Sequence, residues 1–305
     1  MLRICFVFAI AGFFSAAGFA IDISDYFRPS ELDASLQTAI RQFTPKDKSK
    51  PKIVLVAVGH IGEDDYYPAI LKHVNQVNLV LHENIGNELF EELEALDPIC
   101  AEVRGNMDTS NAFAKALGLE TQNDYFHFKG KQKWIHADLS AMAYTKRILE
   151  LLLSQIRLQV PSYQPEGKTL CAQFKSVILD IGCNSESTAP CNLKTLLEES
   201  MRSMASFSRE QIAQTMLSEA SIHSNSELLL ERNQVLFEVL QKIIQRPVTT
   251  IKTIGILYGA AHMPDIEKYL VDKLDFHRST EDVQWLTMMR VRPPENTVQS
   301  FVFNF

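Results

Sequence analysis

The sequence predicts an α/β fold: a single domain with a central mixed β-sheet, flanked by helices and carrying a helical insert. Three observations lead there. "KIVLVAV" (Lys52–Val58) and the run from Thr249 to Tyr258 are continuous β-branched and aliphatic stretches, of the kind found in parallel strands buried on both faces. "DYYPAILKHVNQV" follows the first as an amphipathic helix with Tyr67, Ile70, Leu71 and Val74 on one side, and "NLVLHE" then reads as a second strand, completing a βαβ unit. The middle of the chain keeps helical spacing, so the insert is expected over about 139–246.

Before these elements the chain opens on Met1 and Arg3, an apolar run from Ile4 to Phe14, and the small-residue stretch "SAAGFAID". This is the layout of a secretory signal peptide over residues 1–20, with cleavage after Ala20 and a secreted or periplasmic destination. The run is about half a bilayer span, and no later segment is long and apolar enough to cross a membrane, so none is expected after cleavage. "PSELDASLQTAIRQF" spaces Leu32, Leu36, Ile40 and Phe43 as a helix with Ser30 as its cap. That gives an N-terminal helix and linker over 21–51, ending in "TPKDKSKP", and the α/β domain over 52–305.

The remaining elements follow in order. Helical stretches are expected at Asn87–Leu96 and Thr109–Leu117, and a long one at Leu139–Leu158 with Asp138 as its cap; "YFHFKGKQKWIHADLS" supplies two short extended pieces around Gly130. A helix at Glu227–Gln245 stops before Pro247. "DVQWLTMMRVR" and "SFVFNF" close the chain as strands.

A formal net charge of -7 with only short basic clusters such as "KDKSK" excludes nucleic acid as the main partner. Four cysteines follow the leader: Cys100, Cys171, Cys183 and Cys191. In an oxidising compartment they allow three pairings, and the polar loop "CNSESTAPC" makes Cys183 and Cys191 one candidate pair. No C-x-x-C spacing occurs, which argues against a structural zinc site.

Three chemistry-bearing side chains fall at the carboxyl ends of expected strands: His60 after "KIVLVAVG", Glu83 in "NLVLHENIG", and His262 after "TIGILYGAA". Ligand crevices of open α/β sheets form along that edge. Two imidazoles and a carboxylate meeting there suit a divalent transition metal. On the helix at Glu227–Gln245, Arg232 falls within the apolar face made by Leu229, Leu236, Val239, Leu240 and Ile243. A guanidinium so placed requires a buried acidic partner or a substrate oxyanion. Asn233 is a quarter-turn away and within reach of the same site. Glu63, with Asp64 and Asp65, and His136 with Asp138 are further candidates near the crevice; acidic residues at a helix start more commonly serve the dipole, and capping is the commoner duty for Asp138. His82 neighbours Glu83 on the opposite strand face and reads as packing.

These residues carry a resemblance. A strand ending in histidine, a second ending in glutamate, and a late "ERN" helix followed by a strand and "GAAHMPDIEKYL" resemble the TraB/PrgY/GumN family, which includes the Tiki-like metalloproteases and is distantly similar to erythromycin esterase and ChaN-like proteins. The resemblance spans roughly Lys52 to Arg292 and implies the Tiki/EreA/ChaN-like fold. It implies that His60, Glu83 and His262 hold the metal, that Gly259 is the motif glycine, and that Glu83 and Arg232 serve catalysis on a peptide or protein substrate; Asn233, beside Arg232, is a further catalytic candidate, and zinc, manganese or cobalt would each suit the ligands. The first motif departs from the family pattern, reading "AVGH" with Ala57 where glycine is the rule. ChaN-like and pheromone-shutdown relatives imply a second class, a non-catalytic binder of haem, iron or peptide, for which Tyr66, Tyr67 and Tyr258 are nearby ligand candidates.

Overall fold

The parallel core grows from the three apolar runs. β3 (Lys52–Val58), β8 (Thr253–Gly259) and β5 (Leu79–His82) are buried along most or all of their length. Such strands bury both faces and need a hydrogen-bonded neighbour on each edge. The computed structural model describes residues 22–83, 99–100, 110–126, 133–159, 169–173, 175–176, 207–223, 226–245, 250–280 and 283–291. β3 pairs in parallel with β8, β8 with β5, and β5 with β7 (Trp134–His136). The late strand β8 therefore lies between β3 and β5, and the βαβ unit read from sequence is real but split by a third strand.

An antiparallel half completes a mixed sheet in the order β1-β2-β3-β8-β5-β7. β1 (Phe27–Ser30) and β2 (Ser35–Pro45) form a hairpin, and β2 also pairs antiparallel with β3, β9 (Phe276–Arg278) and β10 (Gln284–Arg290). The two-residue strands β4 (Ile61–Gly62) and β6 (Glu120–Thr121) pair apart from it. The N-terminal helix expected over this stretch is thus corrected to strands. Leu36, Ile40 and Phe43 are core residues, as the spacing required, but Leu32 is fully exposed in the hairpin turn. Pairing with four neighbouring strands outweighs the weak preference that the apolar spacing expressed.

Helices flank the sheet. α1 (Tyr66–Val74) buries Tyr66, Tyr67, Ile70 and Val74, and α2 is Ser110–Leu117. Within the expected insert, α3 (Ala141–Gln159), α4 (Arg209–His223) and α5 (Glu227–Ile244) are helical. Ser226 caps α5 by accepting from Leu229 N, and Arg147 of α3 clasps Glu231 of α5 at 2.7–3.0 Å. The cap expected at Asp138 is instead Ser140, whose Oγ accepts from Ala143 N at 3.3 Å. α6 (Met263–Leu274) follows β8 through one short turn at Ala260–His262.

A disulfide joins Cys100 to Cys171 across 71 residues. Of the three pairings open in the sequence, this is the one that leaves Cys183 for Cys191; that candidate pair, the leader, Asn87–Leu96 and "SFVFNF" lie outside the described residues. Among the described residues no helix is long and apolar enough to cross a membrane.

Candidate functional site

Because β3, β8, β5 and β7 are mutually parallel, their carboxyl ends share one edge of the sheet. The residues at or just beyond those ends are Gly59–His60, Gly259–His262, Glu83 and Ala137–Asp138. Glu83 leaves β5 with its backbone N–H donating to Leu257 O at 3.3 Å. Its carboxylate is buried, and Oε1 accepts from Gly259 N at 2.9 Å. A Cβ on Gly259 would stand 3.5 and 3.7 Å from the two carboxylate oxygens.

His262 is buried with its ring edge against Tyr258. Its Nδ1 lies 2.7 Å from Asn233 Oδ1, and Asn233 Nδ2 donates to Asp265 Oδ2 at 2.8 Å. The acceptor-only carboxylate turns the amide nitrogen toward Asp265, so Oδ1 faces the ring and Nδ1 carries the proton. Nε2 is left with a lone pair, 3.6 Å from Glu83 Oε2.

Arg232 closes the cluster, with its side chain only 13% exposed. It grips Asp138 through Nε at 3.1 and 3.2 Å and through Nη2 at 2.7 Å. The same Nη2 donates to Glu83 Oε2 at 3.2 Å, and Nη1 donates to His262 Nε2 at 3.2 Å. The guanidinium also lies 4.8 Å from the centre of the Tyr144 ring. Asp138 is aimed by its surroundings: Ala137 N donates to His82 O, and the Tyr258 hydroxyl donates to Ala137 O. In the sequence Asp138 read first as a cap and second as a crevice residue, although Arg232 already required a carboxylate; its position two residues past the end of β7 is the signal that favours the crevice.

Electrostatics follow from burial. Glu83 is pushed up to about 7, burial raising it most and Asp138 adding to that against the pull of Arg232 and of the Gly259 N–H. Burial, the Arg232 charge and His60 together hold His262 well below the ordinary histidine range, so its ring is neutral. Burial opposes the charge on Arg232, but Asp138 and Glu83 outweigh it. A carboxyl group that titrates near neutrality beside a neutral imidazole and a fixed cation is suited to moving a proton.

The other candidates fall elsewhere. His60 is exposed; its Nδ1 lies 2.5 Å from Gln122 Nε2, and Gln122 N donates to its carbonyl. It senses His262 electrostatically, yet among the described residues no three His, Cys, Asp or Glu side chains form a group that could hold a metal. Glu63 serves neither the site nor a helix dipole: it accepts from Arg209 Nη1 at 2.8 Å and from Arg290 N at 2.7 Å, tying α4 to β10. His136 is exposed beside His82, on the strand face away from Glu83. His82 is buried packing, as expected, with Nδ1 2.9 Å from Glu83 O. Tyr66, Tyr67 and Tyr258 are buried, and their hydroxyls are bonded to Thr38 and Gly59, to Gly59 O and to Ala137 O.

The metal set implied by the resemblance is testable on this geometry. His262 Nε2 and Glu83 Oε2, 3.6 Å apart, have the separation that two ligands of one ion adopt at bond lengths of about 2.0–2.2 Å. Arg232, however, donates to both atoms at 3.2 Å and so stands where the ion would have to be. As arranged, the residues do not accept a metal. Comparison with family models, with curated proteins and with solved structures finds no match to this chain.

Proposed function

We propose that this chain is an exported hydrolase of peptide or related acyl bonds, with Glu83 as general base and Arg232 as its built-in cation. The observation that carries the reading is the buried Glu83 carboxyl, poised near pH 7 between a guanidinium and a neutral imidazole. Ionised Glu83 takes a proton from water, with His262 Nε2 accepting the water's second hydrogen bond. The resulting hydroxide adds to the substrate carbonyl carbon. An Arg232 N–H then meets the developing oxyanion, and the proton on Glu83 passes to the leaving nitrogen or oxygen. The basic, apolar and small-residue pattern of residues 1–20 and the disulfide between Cys100 and Cys171 support export to an oxidising compartment.

A metal-dependent peptidase is the second reading: the 3.6 Å separation of Nε2 and Oε2 favours it, and it requires Arg232 to leave its place between them. One experiment separates the two: hydrolysis of a mixed peptide and ester panel by wild type, Glu83→Gln and His262→Ala, before and after chelation. Loss of a general base is expected to cost about 100-fold or more in Glu83→Gln, with wild-type activity surviving chelator. Activity that vanishes on chelation and returns with zinc, manganese or cobalt would support the second reading instead. Undiminished hydrolysis in Glu83→Gln sinks the first.

A further inference from the structure

Two separate constraints act on the His262 ring, and they agree. From one side, Arg232 can only donate, so the nitrogen it meets at 3.2 Å, Nε2, must carry a lone pair. From the other, Asn233 Oδ1 lies 2.7 Å from Nδ1 and must accept. An amide, however, has two orientations of nearly equal shape and opposite hydrogen-bonding sense. Asn233 has lost that freedom: its side chain is fully buried, and Nδ2 is 2.8 Å from Asp265 Oδ2, an acceptor that tolerates only the nitrogen.

The two constraints differ in permanence. In the hydrolysis proposed above, on which this inference rests, Arg232 turns an N–H toward the oxyanion and loosens its hold on Nε2. The amide of Asn233 faces no such demand. We propose that Asp265 is a positioning residue for His262: through the Asn233 amide it keeps the ring proton on Nδ1, and the Nε2 lone pair toward Glu83, when Arg232 lets go. Asp265 acts on the ring through that amide. It sits in the first turn of α6, three residues beyond His262, so the same turn that delivers the imidazole also delivers its tautomer control.

Long-range 1H–15N spectra of protein labelled at histidine nitrogen test this without any substrate. Wild type is expected to carry the His262 proton on Nδ1 alone. Arg232→Lys keeps a cation opposite Asp138 but removes the two-pronged donor; it is expected to keep the Nδ1–H form. The Arg232→Lys/Asp265→Asn double variant gives Asn233 a partner that can donate or accept, and the Nε2–H form should rise from undetectable to a fraction comparable with Nδ1–H. The proposal is overturned if Arg232→Lys alone loses the Nδ1–H form, or if the double variant keeps it undivided. Should the lysine variants not fold, Arg232→Gln, whose amide leaves Nε2 unprejudiced, replaces them in both arms. The wild-type spectrum needs no variant, and a proton found on Nε2 refutes the idea directly. Because tautomers are read in the resting protein, a failed hydrolase reading leaves this result standing, and the reverse also holds.

Discussion

Gly259 is the residue at which packing and proton chemistry meet most closely. Its N–H donates to Glu83 Oε1 at 2.9 Å, and an added methyl would meet the carboxylate oxygens at 3.5 and 3.7 Å, which is ordinary contact. Gly259→Ala should therefore fold while bringing an apolar group against the carboxylate. Desolvation favours the neutral acid, so Glu83 should rise further above about 7. In the proposed hydrolysis the base works ionised, so activity should climb as pH rises through the wild-type midpoint; the variant's midpoint should move upward by roughly half a unit to one unit. A pH–rate profile of both proteins checks it, and an unmoved midpoint argues against Glu83 as base. Much of this site was legible beforehand: Glu83 and His262 sit at strand ends, and Arg232 lies on an apolar helix face. Asp265 was not, because nothing about an acidic residue in a helix's first turn tells its partner from the helix dipole.

Elements were legible where their apolar pattern had one reading. β3, β5, β8, α1 and α5 were buried on the faces their runs required. The stretch from Leu32 to Phe43 had two, since a long, multiply paired strand with both faces buried also places residues spaced by three and four in the core. Thr38, Ile40, Phe43 and Thr44, β-branched or aromatic, were the unused evidence for β2. The turn after β3 is constrained from the opposite end of the chain. A Cβ on Gly59 would lie 2.2 Å from Sδ of Met288, a fully buried residue of β10. Gly59→Ala should cost about 1–3 kcal/mol through overpacking. Denaturant unfolding measures it, and the cost should shrink in a Met288→Ala background if this contact is its source. His60 therefore takes its path from Gly59 and Met288 and its partner from Gln122, whereas Ala57 pairs undisturbed with Tyr258 inside the sheet.

For the molecule as a whole, the mixed α/β class was legible from composition and periodicity, but the strand order was not. Nothing local in "TIGILYGAAH" reveals that it will enter between two strands already in sequence order. The disulfide was likewise one of three possible pairings in the sequence, the one that goes with a closed Cys183–Cys191 loop, and the fold brings Cys100 and Cys171 to a Cα separation of 5.1 Å. It spans 71 residues, so removing it frees a long loop in the unfolded chain. Cys100→Ala/Cys171→Ala should lose about 2–5 kcal/mol, read as a lower denaturant midpoint, and wild type under strong reductant should follow it. The late arrival of β8 also shapes how this chain must be made. A nascent polypeptide emerging in order presents β3 and β5 long before residue 253, each with an apolar edge whose partner has not yet been synthesised. Unpaired edges invite association with other chains. Between the emergence of residues 83 and 259 those edges stand open, so the order of synthesis leaves the parallel core unfinished until nearly the whole chain is made.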